Sequence, residues 1–155
     1  RWLSDWSSDV CSSDLKEMIL CDVEASSWRE TVEIVGDLLV KNNKVKDDYT
    51  KSMIEIVEEF GPYMILVPEI AFFHGKPGPN VYGPCLSMIV LKEPVYFSDF
   101  DNQKITCALG FGATDNESHL KMLMTLSELL QDQEFVDAVT NNGNKERILE
   151  LIKKY

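Results

Sequence analysis

The chain has 155 residues, 45% of them hydrophobic and 26% charged, enough for one packed domain and too short for two ordinary ones. No apolar stretch approaches the roughly 18 residues of a membrane-spanning helix, so no direct membrane insertion is expected. A formal charge of -11 argues against nucleic acid and anionic lipid, both of which need clustered Lys and Arg, and fits an acidic cytoplasmic protein.

Residues 1–15 contain a Ser-Ser-Asp unit twice, no periodic apolar face and no apolar core of the kind a secretory signal needs. From Asp5 to Leu15 they resemble the translation of a common sequencing adapter. The expectation is therefore a non-native segment over 1–15 and a single folded domain over 16–155. Ser27-Trp28-Arg29-Glu30 has the form of a capping box, and Val32, Val35, Leu38 and Leu39 follow at helical spacing, which predicts a helix from about Trp28 to Lys41. Asp47 or Asp48 can cap a second helix carrying Tyr49, Met53, Ile56, Val57 and Phe60 on one face, stopped by Gly61-Pro62. The two should form a short antiparallel pair.

Met64 to Val67 and Ile70 to Phe73 read as short strands. Cys85 to Leu91 and Ile105 to Phe111 are continuous apolar runs, as in strands covered on both faces. Two loops are expected, Gly75 to Pro84 and the polar stretch Glu93 to Lys104. The rest reads as helical: about Glu117 to Leu130, then a short helix to about Thr140, then one capped by Asn144 through Ile148, Leu149, Leu151 and Ile152. Helices, then strands, then helices predict an α/β fold, a three-layer α/β/α domain with a mixed β-sheet flanked by helices. The cysteines lack C-x-x-C spacing and the histidines lie far apart in sequence, so no metal site is expected and Cys85 and Cys107 read as buried thiols.

The chemistry rests on the two histidines. His74 ends the apolar run from Pro68 and is followed by Gly75-Lys76-Pro77-Gly78-Pro79, which places an imidazole at a strand's exit. His119 follows Thr114-Asp115-Asn116-Glu117-Ser118, a helix-start signature in which Thr114 and Asn116 read as caps, so it belongs to a first turn. Neutral imidazole is a good nucleophile and a helix N-terminus favours anions, so the pair points to phosphoryl chemistry if the two meet in space. Taken singly, each histidine is more simply an ordinary surface residue. Phe72 and Phe73 could rim a transient docking site, with at least one of them in the core, and Lys76 is either a solvated loop lysine or a partner for a phosphoryl oxygen.

At these segments the sequence resembles the enzyme IIA domains of the bacterial sugar phosphotransferase system, in the fructose and mannitol superfamily and most closely its ascorbate-type branch. The ordered match runs through Ser27-Trp28-Arg29-Glu30, Tyr49-x-x-x-Met53-Ile54, Gly61-Pro62-Tyr63, Pro68-x-x-Ala71-x-x-His74 and Leu91-x-x-Pro94-Val95-x-Phe97. It continues through Asn116-x-Ser118-His119-Leu120 and Leu126-x-Glu128-Leu129-Leu130. The resemblance implies that His74 accepts a phosphoryl group and that His119 hydrogen-bonds it; around them, Lys76, Gly75, Phe73 and Ser118 are candidate phosphate or partner contacts. It also implies a relay from the phosphocarrier protein, through His74, to a cysteine of enzyme IIB and on to the membrane enzyme IIC, with no cofactor. The family usually reads Pro-His-Ala-Arg or Pro-His-Gly where this chain has Phe73, His74, Gly75 and Lys76. Many relatives carry an arginine in the second helix where this chain has Ile56, and the ascorbate-type branch lacks it too. Two alternatives stand beside the relay: a regulatory module derived from such a domain that reports phosphorylation state to a transcription regulator, and a paralogue that is not phosphorylated, suggested by Phe73 and Lys76.

Overall fold

The computed structural model describes residues 17–61, 65, 67–97, 103–141 and 144–152. The expected non-native segment over 1–15 lies outside the described residues. Nine elements occur among the described residues: β1 (Ile19–Val23), α1 (Trp28–Lys41), α2 (Tyr49–Phe60), β2 (Glu69–His74), β3 (Cys85–Phe97), β4 (Gln103–Gly112), α3 (Asn116–Leu129), α4 (Gln133–Thr140) and α5 (Lys145–Ile152). The sheet order is β1-β3-β4-β2, with β1 parallel to β3, β3 antiparallel to β4 and β2 parallel to β4. The sheet is therefore mixed, as the element order predicts.

Local chemistry sets the helix ends. The Ser27 hydroxyl accepts from Glu30 N–H, while the reciprocal arm of Glu30 reaches Ser26 instead of Ser27, a capping box displaced by one residue. Helix α2 stops at Gly61, whose φ of 74° is cheap only for glycine. Asp132 caps α4 through Glu134 N–H, and Asn144 precedes α5 and accepts from Arg147 N–H.

Helix α1 lies on one face of the sheet, held close by two small residues. The buried Ser87 hydroxyl of β3 donates to the Val35 carbonyl of α1 at 2.8 Å, so a polar group inside the core is satisfied by the helix above it. Opposite Ser87 stands Gly110, where a Cβ would come within 2.8 Å of Ser87 Oγ and 3.0 Å of Val35 Cβ. Gly110→Ala should therefore destabilise the fold by about 1–3 kcal/mol, lowering Tm by several degrees in a thermal melt. A melt equal to wild type would show that α1 can lift without cost. Trp28, Phe97 and Phe73 continue this side of the core, with ring centroids 5.7 Å apart for Trp28 and Phe97 and 6.2 Å for Phe73 and Phe97. Helix α4 packs on β4 and α5 on β1.

Two features differ from the sequence expectation, and a third is only partly described. Strand β1 has no counterpart in it: the segment is short, its register shifts between Leu20 and Val23, and Asp22 has a φ of 54°, so no clean alternation marks it. Strand β3 runs on to Phe97 through the exposed Lys92-Glu93-Pro94, past Glu93, where the sequence predicts the start of a loop. The ladder to β4 is irregular between Val90 and Val95, and such an interruption accommodates a proline inside a strand. Of the short strand expected over Met64 to Val67 two residues, Met64 and Leu66, lie outside the described residues, and Val67 makes an isolated bridge to Ile70.

Candidate active site

His74 is the last residue of β2 and pairs with Phe111 of β4. Adjacent residues of a strand point to opposite faces, so Gly110 faces α1 and Phe111 faces away from it. The His74 ring stacks on Phe111 with centroids 5.0 Å apart and planes 26° apart. Helix α3 begins beside this pair. Its N-cap is Asp115, whose carboxylate accepts from Ser118 N–H at 2.8 Å, so Asp115 does what had been assigned to Thr114 and Asn116. The turn set by that cap carries His119, whose ring centroid lies 4.9 Å from His74 and 5.4 Å from Phe111. Two imidazoles some 45 positions apart in sequence thus share one phenyl platform.

Burial governs the electrostatics. Desolvation, with a smaller push from the charge of His119, lowers the His74 pKa from 6.5 to about 4. Desolvation also lowers that of His119. Near neutral pH His74 is therefore uncharged, the form in which an imidazole is nucleophilic. The same shift makes folding pH-dependent. Between pH 6.5 and 4 the unfolded chain binds the proton more readily than the folded one, so stability is complete above 6.5 and is lost as pH falls through the folded value. The loss attributable to His74 should reach at most about 3 kcal/mol near pH 4. Urea unfolding of wild type and His74→Gln at pH 7 and pH 4.5 checks this: the variant should lose less stability on acidification, and equal losses would contradict it.

The remaining residues expected at the site separate clearly. Phe72 and Phe73 are both fully buried, Phe72 edge-on to Phe111 and Phe73 against Phe97 on the opposite face, so neither forms a docking rim and Phe73 cannot touch a phosphate. The alternation of an apolar strand with both faces covered explains this. Gly75 is buried, and its N–H donates to the Tyr49 hydroxyl at 2.9 Å, so it is not offered to a phosphate or partner either. Lys76 is exposed and its N–H donates to Ser52 Oγ at 3.3 Å. The Ser118 N–H is taken up by the helix cap. Ile56 is buried on α2, where an arginine would have stood.

Phe111 and Tyr49 belong to the site without having been singled out for it. Phe111 sits in an apolar run where nothing marks one phenyl from its neighbours. Its role depends on the parallel pairing of β2 with β4, which no local pattern specifies. Tyr49 stood in the quoted motif but read as one apolar position of a helix.

Residues 15–155 match the family described as phosphoenolpyruvate-dependent sugar phosphotransferase system, EIIA 2. The chain is 31% identical over 137 residues to the ascorbate-specific PTS system EIIA component of Escherichia coli K12, covering 88% of this chain and 89% of that protein. Among solved structures, the mannitol-specific cryptic phosphotransferase enzyme IIA of Escherichia coli superposes with a TM-score of 0.78 at 25% identity, over 92% of this chain and 98% of that one. The fold is shared as well with the mannitol enzyme IIA of Escherichia coli solved in complex with phosphorylated enzyme IIB, with a TM-score of 0.79 at 21% identity over 90% and 96% of the two chains.

Proposed function

This chain belongs to the EIIA 2 family of the phosphoenolpyruvate-dependent sugar phosphotransferase system, and on that premise we propose that it carries the phosphoryl group covalently on His74, supported by His119. The observation that carries this reading is the meeting of the two imidazoles, 4.9 Å apart, over Phe111. In the first step a ring nitrogen of His74 forms an N–P bond while the N–P bond of a phosphohistidine on the phosphocarrier protein breaks. In the second a cysteine sulfur of enzyme IIB forms an S–P bond as the His74 N–P bond breaks. The protein's part is positioning and charge stabilisation: it holds His74 neutral, sets His119 beside the transferring group and turns the N-terminus of α3 toward the negative charge.

Partners of a relay must bind and leave, which favours small docking surfaces. With Phe72 and Phe73 in the core, the apolar contacts fall to Leu120, next to His119, and to Met124 one turn on, which are 59% and 61% exposed. The Gly75 to Pro84 loop borders this region through the Gly78 N–H, which donates to the Ala113 carbonyl ahead of α3. Ascorbate is the sugar we assign, on the strength of relatives carrying that name at about the same length as this chain. Among the described residues no helix is long and apolar enough to cross a membrane, and the place of action we assign is the cytoplasm, where phosphocarrier, enzyme IIB and the inner face of enzyme IIC meet.

A chase experiment tests the relay. The chain is phosphorylated with phosphoenolpyruvate, enzyme I and phosphocarrier, separated from them, and mixed with an ascorbate-type enzyme IIB. Label should move to the enzyme IIB cysteine. Label that stays on the chain with an otherwise active enzyme IIB would reject the second step.

A further inference from the structure

We propose that Tyr49, assisted by Ser52, is a positioning residue for His74: its hydroxyl bridges the two strands that carry the His74 and Phe111 rings and fixes the backbone immediately beyond the nucleophile. The inference rests on His74 being the phosphoryl carrier, and goes beyond it by assigning the control of that imidazole's placement to the start of α2.

The geometry is specific. The Tyr49 hydroxyl donates to the Phe111 carbonyl at 2.8 Å and accepts from Gly75 N–H at 2.9 Å, and the tyrosine is 1% exposed. His74 and Phe111 are the last pair of the β2–β4 ladder. In a parallel ladder a bond from Gly75 N–H to the Phe111 carbonyl is one of the two ways such a pair can be closed. Here the tyrosine hydroxyl stands between those two groups and takes both bonds. The strand exits are therefore tied by a side chain from another element in addition to the ladder itself.

The next residue is held from the same helix, with Lys76 N–H donating to Ser52 Oγ at 3.3 Å. Gly75 is pressed onto this surface: a Cβ there would lie 2.8 Å from both Tyr49 Cε1 and Ser52 Oγ. Glycine is thus required by close approach to α2, and its place after the nucleophile allows the contact. Because the two ends of the bridge are the residue after His74 and the residue beneath its ring, one hydroxyl sets both the direction of the imidazole and the platform it rests on. Preorganisation of this kind is what in-line transfer depends on.

The test uses Tyr49→Phe, which removes one oxygen and keeps the packed ring, with Ser52→Ala as a second variant. All measurements are made well below the variants' melting temperatures, with rates expressed per folded molecule. Tyr49→Phe should still end with one phosphoryl group on His74 but reach it about tenfold more slowly, and Ser52→Ala about twofold more slowly. In the unphosphorylated protein, the His74 imidazole resonances of Tyr49→Phe should shift and titrate nearer to an ordinary histidine than in wild type. That readout needs no activity, so it stands apart from the carrier reading: a wild type that takes no label on His74 defeats the carrier reading alone. Wild-type rates and unchanged His74 resonances in Tyr49→Phe would overturn the proposal. If Tyr49→Phe does not fold, a Ser52→Ala variant with wild-type rate and resonances overturns it.

Discussion

With His74 replaced by alanine, the folded chain is expected to take up no phosphoryl group from the phosphocarrier, however long the incubation. The reason is stoichiometric as much as catalytic, because on the proposed reading the other nucleophiles near the site do not carry the group. His119 is closest, yet it is an element of the first turn of α3, placed to meet a group on its neighbour. The loss should come with little change in fold. Alanine removes a partly exposed ring at a strand end, and a cost of about 1 kcal/mol corresponds to only ~2–4 °C in Tm at this chain length. Loss of labelling with a near-normal melt separates a missing carrier from a broken domain. Residual stoichiometric labelling of His74→Ala would place the carrier elsewhere.

His119→Ala should have the second largest effect. The imidazole sits in a partly desolvated position 4.9 Å from the His74 ring, where a hydrogen bond to the transferring group counts for more than it would in water. Removing one preorganised donor of this kind costs roughly a hundredfold in rate. The variant should therefore be labelled slowly, to the same final extent and on His74, as rapid-quench kinetics would measure. A rate equal to wild type would mean that His119 only packs against Phe111.

The two imidazoles were legible because their local settings are punctuated. An apolar run broken by Gly75-Lys76-Pro77 reads as a strand exit, and Asp115 to His119 reads as a helix start. The helices were legible for the same reason, since caps and 3.6-residue periodicity are short-range signals. What escaped depends on pairing between distant segments. Strand β1 exists because β3 offers it an edge. The continuation of β3 through Pro94 depends on an irregular ladder that the polar Lys92-Glu93 conceals. Phe72 and Phe73 look like a rim because they directly precede His74 in sequence, whereas a strand buried on both faces turns one to each core layer. Tyr49 and Phe111 come together with His74 only once β2 lies beside β4 and the Tyr49 hydroxyl at the start of α2 reaches the ends of both strands.

The central claim is that His74 is the covalent carrier, and the most direct measurement is to locate the phosphoryl group on the wild-type chain. After incubation with phosphoenolpyruvate, enzyme I and phosphocarrier, the protein is digested at neutral to alkaline pH and fragmented by electron transfer, which preserves phosphohistidine. A single phosphoryl group on the peptide containing His74, assigned to that residue, is the predicted result. A phosphoryl group on His119, or none on either histidine, would contradict it.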